Sequence, residues 1–124
     1  MYLTKNEIEI MDVLWSAGRP LTRAEIISRS EDKTWKDSSV HILLNSLFRK
    51  GAIMEAGFVK CGKTYGRMYA PKYTCEEYHA STLSSTRKKP DIPKLFSALI
   101  KTEKLDNETI EQLEALLQSK KTEK

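Results

Sequence analysis

Ser38, Ser39, His41, Ile42, Asn45, Ser46 and Arg49 share one side of a stretch whose other side is apolar. Apart from Ile42 they are compact polar side chains, with one guanidinium at the far end. Such side chains suit close approach to base edges in a major groove, where each base pair shows its own pattern of donors, acceptors and methyl groups. A merely solvated helix face more often carries Glu and Lys, which favour helix and hold water. Ser and Asn fill helices poorly, so their grouping asks for a reason; taken alone, it fits a solvated face equally well. Other chemistry has less support. His41 and His79 have no Ser, Cys or carboxylate partners at a motif spacing. No Gly-rich phosphate loop is present, and Cys61 and Cys75 stand outside any C-x-x-C spacing. No enzyme activity, metal or cofactor is expected, nor a disulfide in a reducing compartment.

The element that must carry this face is a helix. Val40, Leu43, Leu44, Leu47 and Phe48 recur at i, i+3, i+4, i+7 and i+8, which is one apolar helical stripe. Asp37 or Ser38 can cap its start, and Gly51 can close its end in the left-handed conformation. Ahead of it, Thr4-Lys5-Asn6-Glu7 is a capping box that opens a helix through Ala17, with Ile8, Met11, Leu14 and Trp15 as its stripe. Gly18 stops that helix, and Arg19-Pro20-Leu21 reads as a short extended link. Thr22-Arg23-Ala24-Glu25 is a second capping box, opening a short helix that buries Ala24, Ile26 and Ile27. Three short helices ending in an amphipathic one with a polar outer side suggest a helix-turn-helix.

After Gly51 the pattern turns β-prone over residues 52–60 and 65–70, with Cys61-Gly62-Lys63-Thr64 as a hairpin tip. Lys60, Lys63 and Arg67 are expected to gather near that tip. A basic hairpin after such a helix can serve as a wing that reaches phosphate or minor groove; equally, Lys blunts an edge strand against aggregation. Arg19 and Arg23 add positive charge where the second helix begins. Thr74-Cys75-Glu76-Glu77 is a third capping box, and the polar helix after it reads as a connector that buries little. Ile92, Leu95, Phe96, Leu99 and Ile100 then form one stripe, and Ile110, Leu113, Leu116 and Leu117 another behind the cap Asp106. Two short amphipathic helices cannot bury such stripes alone. They either fold back or pair with a second copy, and the polar connector favours pairing.

The fold expected is therefore mainly α with a small β-hairpin wing: a winged helix-turn-helix over residues 1–73, and a connector with dimerisation helices over 74–124. The chain of 124 residues carries a net charge of +4. Residues 1–73 hold 12 Lys and Arg against 8 Asp and Glu, while the remainder holds 9 of each, so the whole excess sits on the expected winged helix. That is a mild footprint for a polyanion. No run of eighteen apolar residues and no signal-peptide pattern is present, so a cytoplasmic chain without membrane insertion is expected.

Glu7-Ile8-Glu9-Ile10-Met11-Asp12-Val13-Leu14-Trp15, Pro20-Leu21-Thr22, Trp35 through Gly51-Ala52-Ile53, and Met68-Tyr69-Ala70-Pro71 together resemble the penicillinase-repressor family of the BlaI/MecI/CopY type. The resemblance runs unbroken through about the first 73 residues. It implies a dimeric bacterial transcriptional repressor that reads a palindromic operator through its winged helix, in control of antibiotic-resistance or stress genes. On that basis Ser38, Ser39, His41 and Ile42 are candidates for base contact. Arg19, Arg23, Asn45, Arg49, Lys60, Lys63 and Arg67 are candidates for backbone contact. Residues Ile92 to Leu117 on the two stripes would make the homodimer.

Three departures stand out. In the resistance branch a membrane-sensor protease pathway leads to cutting of an Asn–Phe bond; Ala98-Leu99 stands at the aligned position, and neither residue matches. The copper-responsive branch carries Cys pairs near its C-terminus, and no Cys follows Cys75 here. Ile42 stands where a Thr is usual, so it either meets a thymine methyl or packs inward under Trp35 or the wing. The competing reading is a winged-helix module for protein–protein assembly, since fold does not fix function.

Overall fold

The computed structural model describes residues 2–123. Contacts divide the chain into two compact units, one running to Arg87 and one from Lys88 onward. The expected division at 73/74 marks the end of the hairpin, whereas the first unit's packing continues through the connector.

In the first unit, α1 (Lys5–Ala17) starts at Thr4 with both halves of the capping box formed, and ends at Gly18 in the left-handed region at φ 66°. Its buried face is Glu7, Ile10, Met11 and Leu14. Ile8 and Trp15, expected on the stripe, lie at its margins and are only partly buried. The expected link after Gly18 is a short strand, β1 (Leu21–Thr22), and Thr22 caps α2 (Arg23–Arg29) through a second complete box. Ile26 is buried and Ile27 partly so, but Ala24 faces solvent because it sits on the outer side of the helix's first turn.

A 3-10 turn, Asp37–Ser39, precedes α3 (Val40–Arg49). Neither Asp37 nor Ser38 caps α3 by its side chain, because the tight turn replaces a cap. Val40, Leu44 and Leu47 are buried, Leu43 and Phe48 partly so, as the stripe requires. Gly51 closes the helix at φ 74°.

The hairpin consists of β2 (Ile53–Cys61) and β3 (Thr64–Pro71), with β3 in the middle of an antiparallel sheet ordered β1-β3-β2. Leu21 pairs with Tyr69 and Thr22 with Met68, so the link read as a mere connection ties the helix-turn-helix to the wing. A register shift between Glu55 and Phe58 interrupts β2, with Gly57 at φ 107°. That is a bulge, and bulges increase local twist and re-aim a strand.

The polar connector buries more than expected. α4 (Cys75–Ser81) sets Tyr78 into the core against Trp15, ring centroids 5.7 Å apart, and the Trp15 indole N–H donates to the Tyr73 carbonyl at 3.0 Å. One aromatic is enough to dock a seven-residue helix whose other side chains, apart from the half-buried Cys75, are exposed.

The second unit holds α5 (Ile92–Thr102), capped by Asp91, and α6 (Asn107–Thr122), capped by Asp106. Neither helix contains a buried residue. Ile92, Phe96, Ile100, Leu105, Ile110 and Leu113 line an apolar groove that continues onto Leu116 and Leu117. Ala98 and Leu99, at the position aligned with the family's cleaved bond, are exposed within α5.

Replacing Tyr78 by Ala should cost about 3 kcal/mol through lost aromatic burial. Urea unfolding of the full chain checks this; a change below about 0.5 kcal/mol would mean that α4 is not part of the first unit's core.

Candidate nucleic-acid interface

The outward side of α3 is built from the same periodicity that buries Val40, Leu44 and Leu47. His41, Ile42, Asn45 and Arg49 are exposed along it. Ser38 is exposed and Ser39 half-buried in the 3-10 turn at its N-terminal end. Ile42 is 61% exposed. Inward packing under Trp35 or the wing is therefore excluded; Trp35 itself is buried. No acidic side chain interrupts α3.

Ser46 does not belong to this face. Its hydroxyl turns inward and donates to Glu7 Oε2 at 2.6 Å, while Lys50 Nζ donates to Glu7 Oε1 at 2.6 Å and the Thr4 N–H to the same oxygen at 2.8 Å. Glu7 is 1% exposed, so a carboxylate is bolted between the start of α1 and the last turns of α3. Burial alone would push its pKa up. The hydrogen bonds from Lys50, Ser46 and Thr4 outweigh that and hold it at about 2 against an ordinary 4.5. The capping-box motif hid this role; the signal was the position of Glu7 on the same helical face as Ile10, Met11 and Leu14.

The wing meets α3 at an open hollow lined by Ile42, Asn45, Phe48, Arg49, Glu55 and Arg67. Tyr69 of β3 packs on Phe48 of α3, centroids 5.6 Å apart, which fixes which side of the sheet faces the helix. The hollow brings Ile42, Asn45 and Arg49 together with Arg67. It does not bring the three wing cations together as expected. Arg67 sits well below the tip, opposite Phe58, and its Nε lies 3.3 Å from Glu55 Oε2. Lys60 lies further out, opposite Tyr65, and Lys63 is in the tip turn.

Arg23 is exposed at the start of α2. Arg19 is bound locally: it donates to Glu25 Oε2 at 2.6 Å and to the Pro20 carbonyl at 3.1 Å. The Arg19 guanidinium, with the Thr22 amide, brings the Glu25 carboxyl down to about 2. Arg19 thus braces the second capping box before it can serve anything else. Two exposed side chains that sequence reasoning passed over, Phe58 and Tyr65, lie on the wing. Among the described residues, no group of three or more His, Cys, Asp or Glu side chains could hold a metal ion, and no helix is long and apolar enough to cross a membrane.

A family model described as the penicillinase repressor matches residues 3–119. No curated protein matches the chain.

A depressed folded-state pKa stabilises above the unfolded value and ceases to do so as pH falls through the folded one. Glu7 therefore contributes fully at neutral pH, and its contribution fades between about pH 5 and 2. Glu7→Gln should lower stability at pH 7 by about 2 kcal/mol, since Lys50 reaches water and is not stranded. The gap between variant and wild type should narrow on acidification over that window. Urea midpoints across pH check this; a constant gap would contradict the assignment.

Proposed function

The chain belongs to the penicillinase repressor family, a family of transcriptional repressors, and from that we propose that it acts as a homodimer on a palindromic duplex operator. The observation that carries the reading is the face formed by Ser38, His41, Ile42, Asn45 and Arg49, solvent-exposed, free of acids and continuous with a basic wing. An α-helix with such a face fits a major groove. Ser38, Ser39, His41 and Ile42 then meet base edges, with the Ile42 side chain against a thymine methyl. Asn45, Arg49, Lys60, Lys63 and Arg67 meet phosphates, with Arg23 and, after releasing Glu25, Arg19 at the start of α2.

The homodimer rests on α5 and α6. Their groove is lined by apolar side chains with Glu114 as its one charged member, and Leu116 and Leu117 on it are more than half exposed. Contiguous apolar surface of this kind marks an interaction site. A second copy supplies a matching stripe by symmetry, and two winged helices related by a two-fold axis fit a two-fold site. Release by cutting at Ala98–Leu99 is not part of this proposal, since the bond differs from Asn–Phe on both sides. Repression in the cytoplasm of resistance or stress genes follows the family.

Gel shifts against genomic fragments upstream of the chain's own gene test the reading. Salt-dependent binding to one fragment is expected. No duplex affinity in low salt would overturn it and favour a protein–protein module. Lys63→Ala and Arg67→Ala should each weaken binding to all sequences alike and reduce the salt slope by roughly 1. A loss confined to one sequence would contradict backbone contact. Leu116→Asp with Leu117→Asp should give a monomer by sedimentation and weaken operator binding by at least about a hundredfold through lost avidity; an unchanged mass would remove α6 from the interface.

A further inference from the structure

Phe58 and Tyr65 are 59% and 71% exposed on the outer half of the wing. Directly opposed residues of an antiparallel pair share a sheet face, and alternate residues along a strand share it too. Tyr69 is on the α3 side, since it packs on Phe48. Alternation along β3 puts Arg67 and Tyr65 on that side as well, and the lining of the hollow places Arg67 there independently. Pairing then adds Phe58, opposite Arg67, and Lys60, opposite Tyr65. The outer wing thus offers two aromatic rings and two cations in alternation, on the face that continues the outward side of α3.

These rings serve no core. The buried cluster of this unit draws on β2 only through Ile53, and Tyr69 is the one partly buried wing residue packed on it. Large apolar side chains left in water at the end of a hairpin cost solubility and favour aggregation. The bulge at Gly57 sits just before Phe58 and re-aims the strand that carries it.

Resting on the duplex reading above, we infer that Phe58 and Tyr65 form an apolar wedge that enters the minor groove beside the major groove occupied by α3, and so adds preference for deformable, A·T-rich flanking steps. Charge complementarity commits the surface to a polyanion: Lys60 and Arg67 share the face of the rings, Lys63 stands in the tip turn, and Glu55 is the one acid on the hairpin. Continuity with α3 commits it to a duplex. Apolar wedges enter minor grooves at steps that unstack easily, pyrimidine–purine steps above all. The guanine amino group crowds that groove, which favours A·T pairs. Lys60 and Arg67 are placed to hold the phosphates on either side of the wedge. Sequence preference then comes from two sources, base edges read by α3 and flanks deformed by the wing.

The test is selection from a library of randomised duplexes by the full-length wild type, by Phe58→Thr/Tyr65→Thr, and by Phe58→Leu/Tyr65→Phe. Threonine keeps strand propensity while removing the wedge. Wild type should enrich a central motif with A·T-rich or pyrimidine–purine flanks. The threonine variant should keep the central motif and lose the flanks, binding the wild-type duplex about tenfold more weakly. The Leu/Phe variant should restore both. Equal flanks and affinities within twofold for wild type and threonine variant would overturn the wedge while leaving duplex binding intact. So would a threonine variant impaired only toward single-stranded competitor, which would make the rings a stacking platform. If wild type enriches nothing, the duplex reading itself fails, and the wedge with it.

Discussion

The orientation of α3 depends on one buried carboxylate. Glu7 accepts from Ser46 on α3, from Lys50 directly after it and from the backbone at the head of α1, so two helices that need only hydrophobic contact to pack are also held in register by directional bonds. Hydrophobic burial has no preferred direction of its own; hydrogen bonds of 2.6 Å to a buried anion do, and leaving that anion unpaired is costly. A rotation that moved Ser46 away would strand the charge. Rotation of α3 is also the motion that would turn Ile42 and Asn45 away from the hollow. The constraint that stabilises the unit is therefore the constraint that fixes what its outward face presents.

The sheet extends that constraint to the wing. β1 is two residues long, yet it pairs with the middle strand of the hairpin and belongs to the same corner that starts α2. Phe48 and Tyr69 close the other side. The base of the wing is thus held at two points, while its outer half beyond the Gly57 bulge packs on nothing in the unit's core. A fixed base with a free outer half suits a hairpin that must follow a surface next to α3.

Much of this was readable from periodicity and caps. Three Thr-x-x-Glu boxes and the Asp106 cap located helix starts, and the Val40–Phe48 stripe fixed which side of α3 faces outward. What escaped had physical reasons. Glu7 served as both cap and core ion pair, and a motif names only the first role. Ser46 lies near the boundary between the two faces of α3, where 100° per residue leaves its direction open until a partner such as Glu7 is known. β1 is too short to show alternation. Arg67 stands three positions beyond Thr64 along β3, opposite Phe58, so the cations expected together near the tip are spread along the hairpin. Tyr78 docks a helix of otherwise polar residues, and a single anchor leaves no period to detect.

The two units differ in what satisfies them. The first buries a continuous cluster from Leu3 to Tyr78 and leaves its polar and basic side to solvent. The second leaves much of the apolar side of α5 and α6 in contact with water, with Leu95 and Leu113 only half-buried, and helices of 11 and 16 residues gain little stability without packing. Within one copy, nothing among the described residues of that unit covers the groove. On the proposed reading, a second copy covers it, and the consequence reaches the first unit: once two chains are joined, binding of one winged helix raises the local concentration of DNA for the other. Neither face then needs high affinity by itself. That accords with an α3 surface made of small polar groups and a single Arg, each worth little alone, and with a net charge of only +4. On that reading, the modest α3 face and the uncovered helical pair are complementary halves of one design, since weak contacts suffice only where the chain is doubled.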